Sequence, residues 1–197
     1  RIVLNLLQRM SGIATETKRL TNLLKDYNTR IAATRKTILR YFDKKAVFLG
    51  GGLTHCIGLW DSILIKDNHL EALKQEGISD YIESAIARAS VFADKVTFIE
   101  LEVTTIKDAI KAAKKFKELH LNTPCVLMLD NMKPSEIDQT LETLRESGLY
   151  DNLLFEASGD ITSENILEYA KTGIDVVSLG YLTHSVHGLD MSLEMTL

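Results

Sequence analysis

The apolar run Ile63-Leu64-Ile65 passes straight into Lys66-Asp67-Asn68-His69, so one hydrophobic segment ends in four polar side chains. The arrangement recurs. Arg30-Ile31-Ala32-Ala33 leads into Thr34-Arg35-Lys36-Thr37, and Val96 to Val103 carries Glu100 and Glu102, two apart on one face of an extended segment. Cys125 to Leu129 ends at Asp130-Asn131, Leu153-Leu154-Phe155 at Glu156-Ala157-Ser158-Gly159, and Asp175 to Leu179 at Gly180. These ends have a sign pattern. Arg35, Lys36 and Lys66, joined by His55 and His69, form a cationic half suited to carboxylate or phosphate, Arg as a bidentate fork and Lys as a point charge. Glu102 and Asp130 form an anionic half, and such a pair with intervening water suits Mg²⁺, which takes one or two protein carboxylates plus substrate phosphates. Ser158-Gly159 and Gly180 allow close backbone approach and N–H donation to a phosphate. Together the set fits an anionic substrate beside a metal-bound, phosphorylated one.

Each feature also has a plainer reading. Lys66 is as well suited to pairing with a neighbouring carboxylate as to catalysis, and Glu102 and Asp130 could be structural partners of Arg35 and Lys36. His120 and His187 read as surface or packing residues, and Trp60 and Cys125 as core. Lys107, Lys111, Lys114 and Lys115 read as a solvated helix face. No His-Glu-x-x-His spacing occurs, which argues against structural zinc. Cys56 follows His55, a thiol beside a base, but adjacent residues of a strand point to opposite faces, which argues against a nucleophile.

Between the apolar runs lie amphipathic helical patterns, at 80–92, 105–119, 134–146 and 163–171. Ser135 and Ser163 are expected to cap two of them, with Gly148 and Gly173 at left-handed C-terminal positions. Strands alternating with helices at roughly 30-residue intervals predict successive βα units and a parallel sheet. Apolar runs without alternation suit strands buried on both faces. A doubly wound sheet concentrates its site near one switch point. Polar groups at all six strand ends instead favour an α/β barrel, whose strand C-termini converge on one working face.

The chain of 197 residues is expected to form one domain over 1–197, and its composition, 45% hydrophobic and 25% charged, is that of a globular protein. A net charge of -4 gives no nucleic-acid footprint. No apolar run reaches the roughly 20 residues of a membrane span. Two cysteines, Cys56 and Cys125, are too few for a disulfide framework and favour a reducing cytoplasm. Arg1 already lies in a helical pattern that includes Leu4, Leu7 and Met10, so more chain is expected before it.

The motifs "LNLLQRMSGIAT", "ATRKT", "LGGGLTHCIGLWDSILIKDNH", "LMLDNM", "EASGDI", "TGIDVVSLGYLTHS" and "LDMSL", in this order, resemble those of the quinolinate phosphoribosyltransferases. The resemblance spans the whole chain. It implies transfer of phosphoribose from phosphoribosyl pyrophosphate to quinolinate, with loss of CO₂ to give nicotinate mononucleotide, no covalent intermediate and no organic cofactor. It implies an open, irregular TIM-like α/β barrel behind an N-terminal α/β sandwich domain that this chain lacks. It also implies a homodimer or larger homo-oligomer with shared sites, in which Arg1 corresponds to an arginine reaching the neighbouring subunit's site. Arg35, Lys36, His55 and Lys66 would hold carboxylates and phosphates, with Lys36 and Lys66 among the catalytic residues. Glu102 and Asp130 would serve Mg²⁺-pyrophosphate and ribose. Ser158, Gly159 and Gly180 would contact the 5′-phosphate, with His184 near that end. Two departures stand out. The family continues Thr-Arg-Lys-Thr with a Thr-Pro-Gly-Leu-Arg loop, whereas Thr37 here runs directly to Ile38-Leu39-Arg40. The family's Asn-His-Arg is Thr54-His55-Cys56, so either another cation replaces a carboxylate ligand or the substrate is nicotinate or another acidic base.

Overall fold

Six strands pair in one all-parallel sheet: β1 (Arg30–Ala32), β2 (Ile63–Ile65), β3 (Ile99–Val103), β4 (Cys125–Asp130), β5 (Leu154–Ser158) and β6 (Val176–Ser178). The computed structural model describes residues 1–194; residues 195–197 of the expected domain span lie outside the described residues. The order is β1-β6-β5-β4-β3-β2, so strands 2 to 6 follow one another and the first strand returns to pair with the last. No reversal of winding occurs. This is the order of an α/β barrel opened between β1 and β2, where the Ala32–Leu53 bridge partly fills the gap.

Helices follow the strands in turn: α1 (Ile2–Leu23) before β1, α2 (Arg40–Leu49) after it, α3 (Asp67–Gln75) and α4 (Tyr81–Ser90) after β2, then α5 (Ile106–Leu119), α6 (Pro134–Glu146), α7 (Ile166–Lys171) and α8 (Tyr181–His184). Two expected caps are corrected. Pro134 occupies the first turn of α6, its fixed φ suited to that place, so the cap is Lys133, whose N–H donates to Glu136. The cap of α7 is Asn165, which accepts from the Thr162 N–H. Gly148 and Gly173 take positive φ, as expected. Trp60 is exposed rather than core, stacked beneath the Arg40 guanidinium.

The central strands are buried on both faces, as expected, β3 at every residue, but the two faces differ in chemistry. Ile99, Leu101, Val103, Leu127, Leu129, Phe155, Ala157 and Val177 face the helices and are buried in the main core. The register aligns the other face in rows: Leu64 beside Glu100, Glu102 beside Met128, Met128 beside Glu156, Asp130 beside Ser158. Truncating one of the helix-facing side chains, such as Leu127, costs about 2–5 kcal/mol. The polar inner face therefore stands on an apolar platform that resists displacement.

A second, smaller core of Ile13, Ala33, Ala46 and Val47 joins α1 and α2. It is pinned by one buried carboxylate. Asp43 accepts from Arg9 Nε at 2.7 Å and Nη2 at 2.8 Å and from the Thr37 hydroxyl, while Arg9 Nη2 also donates to the Thr183 carbonyl. Burial opposes the Asp43 charge, yet the hydrogen bonds from Arg9 and Thr37 hold its carboxyl below the usual range. The same contacts position the Arg35-Lys36 segment between β1 and α2. Removing one partner of a buried pair leaves the other uncompensated. Asp43→Ala is expected to lower stability by about 3 kcal/mol in urea denaturation; a loss under about 1 kcal/mol would class the pair with exposed bridges.

Candidate active site

A cavity of about 590 Å³ opens at the C-terminal ends of the strands. Its walls contain Arg35, Lys36, His55, Lys66, Glu102, Asp130, Ser158, Gly159, Gly180 and His184, every site residue expected from the sequence except Arg1 and His69. Arg1 precedes α1, is exposed and is not among the lining residues. His69 is not among the lining residues. It belongs to the first turn of α3, where its Nδ1 accepts from the Lys66 N–H at 2.9 Å.

Lys66 Nζ lies 2.7 Å from Glu102 Oε2, at the border of β2 and β3. Glu102 thus pairs with Lys66, not with Arg35 or Lys36 as the structural reading had it. Asp130 accepts from Asn131 Nδ2 at 2.6 Å. Glu102 and Asp130 are hard oxygen donors on one cavity wall, the set Mg²⁺ takes when substrate phosphates complete its shell. Beside Asp130, Gly159 has φ +95°, and a Cβ there would fall 2.1 Å from Asn131 Oδ1. Asn131 and Asp160 take positive φ as well. Such backbone at a cavity rim is the strained kind that clusters at ligand sites.

Glu100 and Glu156 are the residues that sequence reasoning left out of the site. Both are buried on the inner face, with His55 between them. His55 Nε2 is 2.9 Å from Glu100 Oε2 and 3.6 Å from Glu156 Oε2. Burial disfavours the imidazolium, but contact with Cys56, the hydrogen bond to Glu100 and the charge of Glu156 outweigh it and raise the His55 pKa from 6.5 to about 11. Burial raises Glu156, helped by the Glu100 charge and opposed by that of His55. His55 reaches this place through a positive φ of 52°. It is not in a strand, so the alternation argument does not apply. One of its nitrogens, Cys56 Sγ and a Glu100 oxygen all lie within 4.8 Å of one another.

Beside Cys56 is Lys44, buried in α2, whose Nζ donates to the Thr54 carbonyl at 2.5 Å. Burial lowers its pKa to about 8. Lys44, Arg35 and Arg40 line a side cavity of about 270 Å³ together with Cys56. Cys56, where the resemblance implies an arginine, thus shares a cavity with three cations.

Residues 13–194 match the family model described as the quinolinate phosphoribosyl transferase C-terminal domain. The chain belongs to the quinolinate phosphoribosyltransferase family. It is 42% identical over 199 residues to a probable nicotinate-nucleotide pyrophosphorylase [carboxylating] of Methanothermobacter thermautotrophicus, covering 99% of this chain and 67% of that protein. A Bacillus subtilis protein of the same name is 39% identical, over 100% of this chain and 63% of its own length. The solved structure of NadC from Streptococcus pyogenes superposes with a TM-score of 0.81 at 36% identity, covering 99% of this chain and 63% of that one. The chain therefore spans about two thirds of the length of these family members. Among the described residues no helix is long and apolar enough to cross a membrane.

The His55 and Glu156 shifts act on stability with one sign. Each raised group stabilises fully below its ordinary pKa, and that contribution drains away as pH rises towards the folded value. For His55 the window runs from 6.5 to about 11. Denaturant stability of the wild type is expected to fall across it, and to fall less in His55→Gln. Equal slopes in the two proteins would contradict the imidazolium.

Proposed function

We propose that this chain is the catalytic domain of a quinolinate phosphoribosyltransferase, making nicotinate mononucleotide, pyrophosphate and CO₂ from quinolinate and phosphoribosyl pyrophosphate. The observation that carries the reading is the order of charge around one cavity in a chain of this family. In strand order Arg35 and Lys36 follow β1, Gly180 follows β6, Ser158 and Gly159 stand at the end of β5, Asp130 at the end of β4, Glu102 on β3 and Lys66 after β2, with His55 at the gap.

Arg35, Lys36, Lys66 and imidazolium His55 hold the quinolinate carboxylates and orient the ring nitrogen, with Lys44 and Arg40 supplying the positive charge absent at Cys56. Ser158, Gly159, Gly180 and His184 receive the 5′-phosphate. Cleavage of the C1–pyrophosphate bond builds positive charge on the ribose, which Glu102 and Asp130 stabilise from a fixed distance. They would also hold Mg²⁺, which would supply charge neutralisation for the leaving pyrophosphate. Once the ring nitrogen is alkylated the pyridinium is its own electron sink for decarboxylation, so the protein's share is orientation and the carboxylate clamp. Arg1 serves the site of a second subunit in a homo-oligomer. The relatives' names favour quinolinate over nicotinate as the acceptor.

The full-length protein with phosphoribosyl pyrophosphate and Mg²⁺ is expected to release CO₂ and form nicotinate mononucleotide from quinolinate. Turnover of nicotinate alone would sink the assignment. Lys66→Met removes a carboxylate partner and leaves Glu102 unpaired, so kcat/KM for quinolinate should fall about 10²-fold. A loss below about threefold would return Lys66 to a structural role.

A further inference from the structure

The cluster beneath the cavity is underused by this reaction. His55, Cys56, Glu100 and Glu156 crowd together, yet His55 Nδ1, Glu100 Oε1 and Glu156 Oε1 are buried without a hydrogen-bond partner among the described residues. Unpaired buried polar atoms, one on each of three neighbouring side chains, are costly. Each is a lone-pair donor once His55 is neutral. Cys56 Sγ, buried beside them, accepts the Ser62 hydroxyl at 2.7 Å and keeps further lone pairs.

We propose that His55, Cys56 and Glu100 form a binding site for a borderline-soft divalent cation of the Zn²⁺ class. The donors are imidazole nitrogen, thiolate sulfur and carboxylate oxygen, the mixture Zn²⁺ prefers and Mg²⁺ does not. Tetrahedral bonds of about 2.0–2.3 Å space ligand atoms roughly 3.3–3.8 Å apart. The donors here lie within 4.8 Å of one another, so inward shifts of about 1 Å complete the triangle. Charge supports the fit. The Glu100 carboxylate and the Cys56 thiolate supply two negative charges to match a dication, with the Glu156 carboxyl close behind. The proton now held on His55 and the metal answer to the same negative potential.

The three ligands come from a loop and from β3, with the Glu156 carboxylate of β5 close behind, so no local sequence spacing announces the site. Because His55 also lines the main cavity, an occupied site removes it from service to a substrate carboxylate. That consequence rests on the quinolinate reading; the binding site itself does not.

The test uses Co²⁺, a spectroscopic stand-in for Zn²⁺, added to the full-length, metal-stripped protein in the absence of substrates. One equivalent is expected to give a thiolate-to-cobalt charge-transfer band in the near ultraviolet with strong visible bands of tetrahedral Co²⁺, and Zn²⁺ should bleach both. Cys56→Ser should abolish the charge-transfer band, Cys125→Ser should keep it, and Glu100→Gln should weaken Co²⁺ binding at least about tenfold. Circular dichroism and thermal melting confirm that each variant is folded. A wild type with no charge-transfer band, or a band that survives in folded Cys56→Ser, overturns the proposal whatever the enzyme turns over.

Discussion

The buried ion cluster of His55, Glu100 and Glu156 is the constraint around which the cavity is built. A carboxylate at the centre of a parallel sheet is expensive unless a cation stands beside it. His55 is that cation, and its 2.9 Å hydrogen bond to Glu100 joins the 53–56 loop to β3. The loop is fixed twice more, by Lys44 at the Thr54 carbonyl and by the Asp61 carboxylate at the Ile57 N–H. The gap between β1 and β2 is thus spanned by backbone pairing of Leu53 with β1 and by the His55–Glu100 bond to β3. Such an opening leaves the inner face accessible while the helix-facing core remains sealed.

A division of labour between the two faces of the sheet follows. The helix-facing rows carry stability through apolar burial and hold each strand end in place. The inner rows carry charge and pay in desolvation, which their mutual pairing offsets. Lys66 with Glu102, and His55 with Glu100, cross from one element to the next in the same way. These pairs pre-orient cations before any anion arrives, so little reorganisation is needed on binding. The strained backbone at His55, Asn131 and Asp160 lies on the rim that the pairs frame.

Much of this was legible in the chain. Each apolar run ends in its polar group, and in successive βα units those ends must share a face, so Arg35, Lys66, Glu102, Asp130 and Ser158 could be assembled before any coordinates. Glu100 and Glu156 were harder. Each sits inside a strand, and its neighbours depend on the register Glu100–Val126 and Met128–Glu156, which pattern alone does not supply. Period-two alternation in Ile99–Val103 was the available signal for Glu100. His55 was placed in the site from the sequence, but its closeness to Cys56 was not: the alternation argument assumed a strand, and a left-handed residue brings both side chains into one cluster. Trp60 shows the same limit, since size and apolarity predict burial only when a partner surface is present, and here the partner is an arginine.

The central claim is that His55 is a buried imidazolium held by two carboxylates, and ¹⁵N chemical shifts of its ring in the metal-free protein test it most directly. The account predicts that both ring nitrogens remain protonated at pH 8, with titration far above the ordinary range. A neutral ring at pH 8, titrating near 6.5, would contradict it.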